Sequence, residues 1–354
     1  MAKIAIGMSG GVDSTVAAGL LKAQGHDVIG VTLALWRGSL CCSFEDVERA
    51  KVVCHQMGIK HYLIEALDDF RSKIVKPFIL GRTQGQTPNP CVHCNKYFKF
   101  GLLWDQVIRR DPEVEALASG HYARLSLNPE SQRWEVFQAA DPGKDQSYML
   151  WQLSQEQLAR SVFPLGNLMK SEVRSLAAEM GLQELAAKPD SQDLCFVVPT
   201  SEDFWRQNAP EACEPGEIVN QSGEVIGKHT GRVFYTPGQR KGLGGGSPER
   251  QFVMAVEPEK NRVMVATREQ NLSNQLLLNS VNWVSIPEPA GELEAFYKLS
   301  SRAKPVAGKL SCLPEQKAKV ELIEAQMRVG QGQSTVIYDA EGRLLGGGLL
   351  EAML

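Results

Sequence analysis

Two groups of residues in this sequence have the types and spacing to do chemistry. The first is Ser9-Gly10-Gly11-Val12-Asp13-Ser14-Thr15. Adjacent glycines let a backbone turn tightly and expose its N–H groups, and three hydroxyl residues, Ser9, Ser14 and Thr15, stand in the same stretch. A helix starting here would aim its positive end at the same point and complete an anion site. Asp13 is placed to hold a magnesium ion or to orient phosphates. The lysine of a Walker A loop is missing, so this is not that kind of ATPase. The second group is Cys91-Val92-His93-Cys94, which follows Thr87-Pro88-Asn89-Pro90, with Cys195 further along in Asp193-Leu194-Cys195-Phe196. The two prolines stiffen the approach and mark a loop, where reactive groups tend to sit. A CxxC alone says little: two packed thiols satisfy it, and a zinc site needs four ligands.

The elements that must position these groups read as alternating strand and helix. Ile4, Ala5, Ile6 and Met8 form a short apolar run suited to a strand buried on both faces. Thr15 to Lys22 predicts a helix, and Val28 to Leu35 a second strand. Ala50, Val53, Cys54 and Met57 make an amphipathic stripe that stops at Gly58. Tyr62 to Ile64 and Val114 to Ala118 add strands, the latter leading into Ser119-Gly120-His121-Tyr122, and Ser171 to Met180 predicts a helix. The fold expected is α/β, a doubly wound parallel sheet. From about Glu214 short alternating segments joined by turn residues take over, as in Gly216 to Asn220, Phe252 to Val256, Asn261 to Thr267, Leu293 to Leu299, Lys319 to Ile323 and Thr335 to Tyr338. They predict two small mainly-β domains, the last a β-barrel. We therefore divide the chain into 1–200, 201–275 and 276–354, the helical stretch near 161–183 being assignable to the first or the central part.

The chain has 354 residues, enough for two or three domains, with 43% hydrophobic and 22% charged residues. No apolar run approaches the ~20 residues of a membrane helix, and the N-terminus enters a strand without a secretory pattern. A cytoplasmic location is expected, in which eight cysteines act as thiols, ligands or catalytic groups. The net charge of -3 leaves a nucleic-acid partner open, because binding needs only a local basic surface.

The first loop matches the PP-loop of the ATP pyrophosphatases, which split ATP into AMP and pyrophosphate and typically adenylate a carbonyl oxygen. With the cysteines and further motifs, the chain resembles the tRNA-specific 2-thiouridylase family. The match runs through Gly7-Met8-Ser9 to Ser14, Thr87 to Pro90, Cys94-Asn95-Lys96 with Lys99-Phe100, and Gly120-His121-Tyr122. It continues in Lys144 to Tyr148, Phe163 to Gly166, Asp190-Ser191, Cys195-Phe196 and Gly238 to Gly244, with weaker signals such as Ser301-Arg302 beyond.

The resemblance implies an ATP- and Mg2+-dependent exchange of the 2-oxygen of the wobble uridine for sulfur. By it, Cys94 is the catalytic nucleophile and Cys195 carries the persulfide, the two forming a disulfide that a reductant reopens. Gly7, Met8, Ser9, Gly10, Gly11, Val12, Asp13, Ser14, Leu33 and Gly120 would contact ATP. Asn89, Pro90 and Cys91 would contact the target base, and Lys144, Asp145, Gln146, Arg302 and Ala303 the tRNA. Lysine, glutamate and glutamine tRNAs are the expected substrates, and a cysteine desulfurase or sulfur-relay protein the donor. Lys96 or Lys99 is near enough in sequence to favour a Cys94 thiolate.

Two positions depart from the family pattern. Leu33 stands where members often have Met, a volume-conserving change. Cys91 stands where many have Asp, which opens a second route: Cys91, Cys94 and Cys195 holding a 4Fe-4S iron-sulfur cluster. Cys41, Cys42, Cys54, Cys213 and Cys312 are read as packing or incidental thiols. Basic residues gather at Lys228, Arg232, Arg240, Lys241 and Arg250, around the Gly242 to Gly246 loop, and at Lys298, Arg302, Lys304 and Lys309. Such clusters suit RNA phosphates. The competing readings are another carbonyl-adenylating PP-loop ligase or synthetase, which needs no paired reactive cysteines, and an iron-sulfur nucleotide sensor, which leaves the basic β domains unexplained.

Overall fold

The computed structural model describes residues 1–36, 44–187, 194–197, 200–243 and 249–354. Cys41, Cys42, Asp190, Ser191 and Gly244 to Gly246 lie outside the described residues. Four strands expected from the sequence, β1 (Lys3–Gly7), β2 (Asp27–Ala34), β3 (Lys60–Glu65) and β4 (Ala116–Ala118), form a parallel sheet. The hairpin β5 (Arg124–Leu127) and β6 (Trp134–Phe137) follows, and then β7 (Ser161–Val162), which pairs in parallel with β4. The sheet order is β3-β2-β1-β4-β7, so the chain reverses direction of growth between β1 and β4. Side chains alternate across β1. Ile4 and Ile6 enter one apolar core with Val16, Ala50, Val53 and Val173 from the helices on that face. Ala5 enters the other, with Phe98, Leu103 and Val107. In a doubly wound sheet the crevice at the carboxyl ends of the strands, at this switch point, is where ligands bind.

The stretch 161–183 belongs to this layer. β7 extends the sheet, and the helix Lys170–Glu179 packs Val173 and Ala177 against the helix Val12–Ala23. Their approach is close: a Cβ on Gly19 would lie 2.7 Å from Met180 Cε.

The central sheet has the order β10 (Phe252–Glu257), β11 (Arg262–Ala266), β8 (Gly216–Val219), β9 (Val225–His229), around Ile218, Val253, Val263 and Val265. Its β8–β11 pair is parallel, a direction that the alternating segments of the sequence do not specify. The long excursion between these strands supplies the crossover that a parallel pair needs.

The last sheet runs β12 (Leu272–Trp283), β15 (Lys317–Met327), β14 (Val306–Leu313), β13 (Leu293–Lys298), β16 (Ser334–Tyr338), β17 (Arg343–Met353), and β17 returns to β12 to close a six-stranded antiparallel barrel. The β5–β6 hairpin, far earlier in the chain, adds to the barrel beside β17. Three consecutive glycines make room on β17. A Cβ on Gly346 would lie 2.4 Å from Asn282 O, and one on Gly347 2.9 Å from the Trp151 ring.

Arg82, on the helix Lys76–Thr83, ties the α/β layer to the central domain. Its guanidinium donates to Val233 O (2.6 Å), Tyr235 O (3.2 Å), Gln86 O (3.3 Å) and Thr236 Oγ1 (3.1 Å). Burial lowers its pKa to about 10, so it remains charged at neutral pH. Arg82→Met would leave several buried acceptors without a donor, and we expect a loss of about 3–5 kcal/mol. Thermal unfolding reads the effect directly; a variant melting with the wild type would show that the contact is not structural.

Candidate active site: a nucleotide loop and two cysteine segments

The loop between β1 and the helix Val12–Ala23 is held by its own hydroxyls. Ser9 N–H donates to Ser14 Oγ (3.2 Å), and Ser14 Oγ donates to Gly11 O (3.2 Å). Gly10 has φ +71, and a Cβ there would lie 2.4 Å from Asp46 O, so this turn admits only glycine. Arg49 clamps the same contact, donating to Asp46 Oδ1 (2.6 Å) and Gly10 O (3.3 Å). The helix begins at Gly11 with no side-chain cap, which leaves its first N–H groups to point at a ligand. Gly7, Met8 and Val12 form the frame behind the loop, with Met8 and Val12 buried. These donors fit a polyphosphate.

Gly120, just past β4, meets the loop across the switch point. A Cβ there would lie 2.8 Å from Ser14 N and 2.9 Å from Asp13 C. The close approach that requires glycine is thus to the loop backbone itself. Leu33 is buried in the sheet's apolar core. His121 is buried, its Nδ1 2.8 Å from Ser119 Oγ and its ring packed near Phe100 and Phe163. Burial, reinforced by the Lys99 charge, holds its pKa well below the ordinary range, so it is neutral at physiological pH.

Asp13 has two partners that its sequence neighbours do not reveal. Tyr122 Oη donates to Asp13 Oδ1 (2.7 Å), and Lys170 Nζ pairs with the same oxygen (2.7 Å). Lys170 starts the helix Lys170–Glu179, with its side chain only 10% exposed. The carboxylate expected to face phosphate and metal is thereby also a strut to a distant helix.

The cysteines lie on a second set of elements. Residues 90–110 form one helical run: an α-segment Pro90–Cys94, a π-segment Asn95–Leu102 and an α-segment Leu103–Arg110. Asn89 caps it, its Oδ1 accepting from Cys91 N–H (3.2 Å), with Pro90 at the favoured first position. In the π-segment a Cβ on Gly101 would lie 2.9 Å from Lys96 O, and Gln157 Nε2 donates to both Lys96 O (2.8 Å) and Phe100 O (3.2 Å). Wide turns of this sort recur at functional sites. Cys91 is exposed, Asn89 half-buried, and Pro90 and Cys94 buried. Cys195 is half-buried, and its neighbour Phe196 inserts into a group formed by Phe70 (5.9 Å between centroids), Phe78 (5.3 Å) and Phe204 (5.8 Å). Phe70 in turn packs on Phe98 (5.4 Å), one turn beyond Cys94. The two cysteine segments therefore share one apolar cluster.

Among the described residues no group of three or more His, Cys, Asp or Glu side chains is arranged to hold a metal ion. Lys96 sits over the Tyr97 ring, 5.5 Å from its centroid, and its charge bears on His93.

The residues expected at tRNA fall in three places. Asp145 organises its own loop, accepting from Ala139 N–H (3.1 Å), Ser147 N–H (3.1 Å) and Ser147 Oγ (3.0 Å). Gln146 is exposed and Lys144 half-buried on the same loop. Arg240 and Lys241 are exposed in the turn after Gly238, and Arg302 is exposed with Ala303 half-buried after β13. Tyr122 and Phe196 stood in motifs read from the sequence, but without these roles, and Lys170, just before the helix predicted from Ser171, was not singled out. Replacing Lys170 by Met removes the ion pair that fixes Asp13. We expect ATP affinity to fall about tenfold, or ~1.4 kcal/mol, measured by calorimetric titration, with an unchanged Kd counting against the strut.

Comparison with known proteins fits this geometry. Residues 2–199 match the family profile described as tRNA methyl transferase HUP domain, 202–267 the tRNA methyl transferase PRC-barrel domain, and 273–350 the aminomethyltransferase beta-barrel domain. A tRNA-specific 2-thiouridylase MnmA of Synechococcus sp. is 42% identical over 352 residues, covering 99% of this chain and 98% of that protein. Its namesake in Synechocystis sp. is 42% identical over 351 residues, covering 98% of this chain and 96% of its own. Among solved structures, the U34-tRNA thiolase NcsA of Methanococcus maripaludis is 21% identical over 59% of this chain and 68% of its own, with a TM-score of 0.35, too distant to bear on function. With full-length similarity of this order and all three profiles in sequence, the chain belongs to the tRNA-specific 2-thiouridylase family.

Proposed function

We infer that this chain is an ATP-dependent tRNA uridine 2-sulfurtransferase. One observation carries the reading: an uncapped anion-binding loop and two cysteine segments packed on a shared apolar cluster stand on one α/β layer. The loop from Gly7 to Ser14 binds the ATP phosphates, with Leu33 and Gly120 toward the nucleoside. Mg2+ bound with the nucleotide would neutralise phosphate charge, and Asp13 is the carboxylate of the loop that would hold it.

The wobble uridine, held by Asn89, Pro90 and Cys91, attacks the α-phosphate through its 2-oxygen, and pyrophosphate leaves. The terminal sulfur of a Cys195 persulfide then attacks C2, and the C–O bond breaks as AMP departs. Cys94, as thiolate, attacks the Cys195 sulfur, leaving sulfur on C2 and forming the Cys94–Cys195 disulfide. An external dithiol restores both thiols. Lys144, Asp145, Gln146, Arg302 and Ala303 hold the tRNA, whose anticodon presents an unstacked base of the sort proteins read most readily. The sulfur comes from a cysteine desulfurase or a relay protein. No helix among the described residues is long and apolar enough to cross a membrane, and we place the enzyme with its tRNA in the cytoplasm.

Metal-free enzyme given ATP, magnesium, unmodified tRNA and a persulfide donor should form 2-thiouridine, detected by nucleoside mass spectrometry. Cys94→Ser and Cys195→Ser should each abolish product while tRNA-dependent pyrophosphate release persists. Product that appears only after iron is supplied would replace the persulfide route, and pyrophosphate release indifferent to tRNA would refute the substrate. Because Arg240 and Lys241 are exposed side by side, their double alanine variant should weaken tRNA binding and lower the slope of log Kd against log salt by about one to two. An unaltered slope would remove them from the interface.

A further inference from the structure

The helical run 90–110 carries a feature that the sulfur chemistry does not use. His93 and Tyr97 stack with planes 1° apart and centroids 6.1 Å apart, and Tyr97 is 48% exposed. Lys96 Nζ lies 5.5 Å from the centroid of the same Tyr97 ring. Burial first, and then the Lys96 charge, lowers the pKa of His93, so the imidazole backing the tyrosine is neutral at physiological pH. Tyr97 follows Cys94 by three residues on the same helical run, within one turn of it.

Beyond Tyr97 opens a groove of about 510 Å³ whose walls include Lys73, Lys96, Arg109 and Arg160. Its acids are Asp105 and Glu156, and Glu156 is paired with Arg160 (3.0 Å). Lys73 pairs with Asp69 across an exposed contact (3.1 Å), of the sort that yields readily to a stronger anion. An exposed aromatic face beside cations is the combination that binds single-stranded nucleic acid, since every base has a π-face and every linkage a phosphate. Most residues along the groove are polar or charged, and its basic side chains outnumber its acids, which favours an anionic strand.

We propose that Tyr97, backed by His93, is a stacking platform for a nucleobase adjoining the target uridine, with the flanking phosphates running along Lys96, Lys73 and Arg109. The inference rests on the reading of the chain as a tRNA-modifying enzyme and deepens it: it assigns the neighbour of the target base a fixed place one helical turn from Cys94. Stacking the neighbour holds the strand while the target base is turned out of it, which a contact to the target alone cannot do.

The test uses an unmodified anticodon stem-loop RNA with 2-aminopurine replacing the nucleotide on one or the other side of the target uridine. Emission should be quenched on binding to the wild type and to Tyr97→Phe, which keeps the ring. With Tyr97→Ala the quenching should vanish for one of the two probes and affinity should fall about tenfold. Lys96→Gln should lower the salt slope by about one while leaving the quenching in place. Equal quenching and affinity in Tyr97→Ala would overturn the platform. So would a variant that binds RNA normally but takes sulfur slowly from a persulfide-carrying protein, which would give the groove to the donor. If the wild type neither binds the stem-loop nor thiolates full tRNA, the functional reading fails and this inference with it; thiolation by a wild type with an indifferent Tyr97 refutes the platform alone.

Discussion

The seating of one short segment on the barrel governs how the helix that carries Cys91 and Cys94 sits relative to the rest of the molecule. Tyr148 and Trp151, both almost fully buried, enter the barrel wall from the α/β layer. Tyr148 Oη donates to Ser334 O (2.7 Å), Trp151 Nε1 to Ser334 Oγ (3.1 Å), and Asn282 Nδ2 returns a bond to Trp151 O (2.7 Å). Each polar tip of a large buried ring finds its partner, the condition under which such rings stabilise an interface. Between them Met149 faces the other way: its carbonyl accepts from Asn95 Nδ2 (3.0 Å), and its sulfur lies 3.8 Å from Asn89 Nδ2. One turn of chain therefore ties the barrel to both ends of the Cys91–Cys94 helix. The barrel reaches the preceding loop as well, through Thr87 N–H to Gln331 O (2.7 Å).

The cysteines are placed by packing more than by polar contacts. A thiol is a weak hydrogen-bonding group, so its position depends on its neighbours. Phe98 and Phe196 supply this for Cys94 and Cys195 by meeting on Phe70. Aromatic edge contacts of that kind contribute about 0.5–1.5 kcal/mol each beyond area burial. Their greater effect here is geometric, because rings interlocked on several sides leave little freedom to the backbone that carries them. The nucleotide loop is placed differently, by glycines that let backbone meet backbone and by a part-buried ion pair.

What could be read from the sequence follows the range of the forces involved. β1, β2 and β3, the helix after the loop and the order of layers were legible, because apolar periodicity and a glycine turn are local. The tight turn at Gly10 and Gly11 was legible for the same reason. The Asp13–Lys170 pair was not, since its members are 157 residues apart and neither flanking sequence marks the other. The central sheet's parallel pair escaped because alternation gives a strand's faces but not its partner's direction. The strands β12 and β17 were passed over as well. Gly346, Gly347 and Gly348 suggest a loop by composition, yet they lie in a strand, where neighbouring backbone and the Trp151 ring leave no room for a Cβ on Gly346 or Gly347.

The β5–β6 hairpin joins the barrel across a long stretch of chain. Arg343 on β17 donates to Glu135 on β6 (2.7 Å), 208 residues earlier. On a ribosome adding roughly 5–20 residues per second, the hairpin would wait about 10–40 s for that strand. Over that time its edge is an unpaired ladder of donors and acceptors, open to any other strand that arrives first. The turn between its strands is well built for such a wait: Asn128 Oδ1 accepts from Glu130 N–H and Ser131 N–H, holding the hairpin's own register with contacts only two and three residues apart. The α/β layer is thus synthesised well before the strand that completes its hairpin, and the hairpin's own turn is what keeps its two strands in register meanwhile.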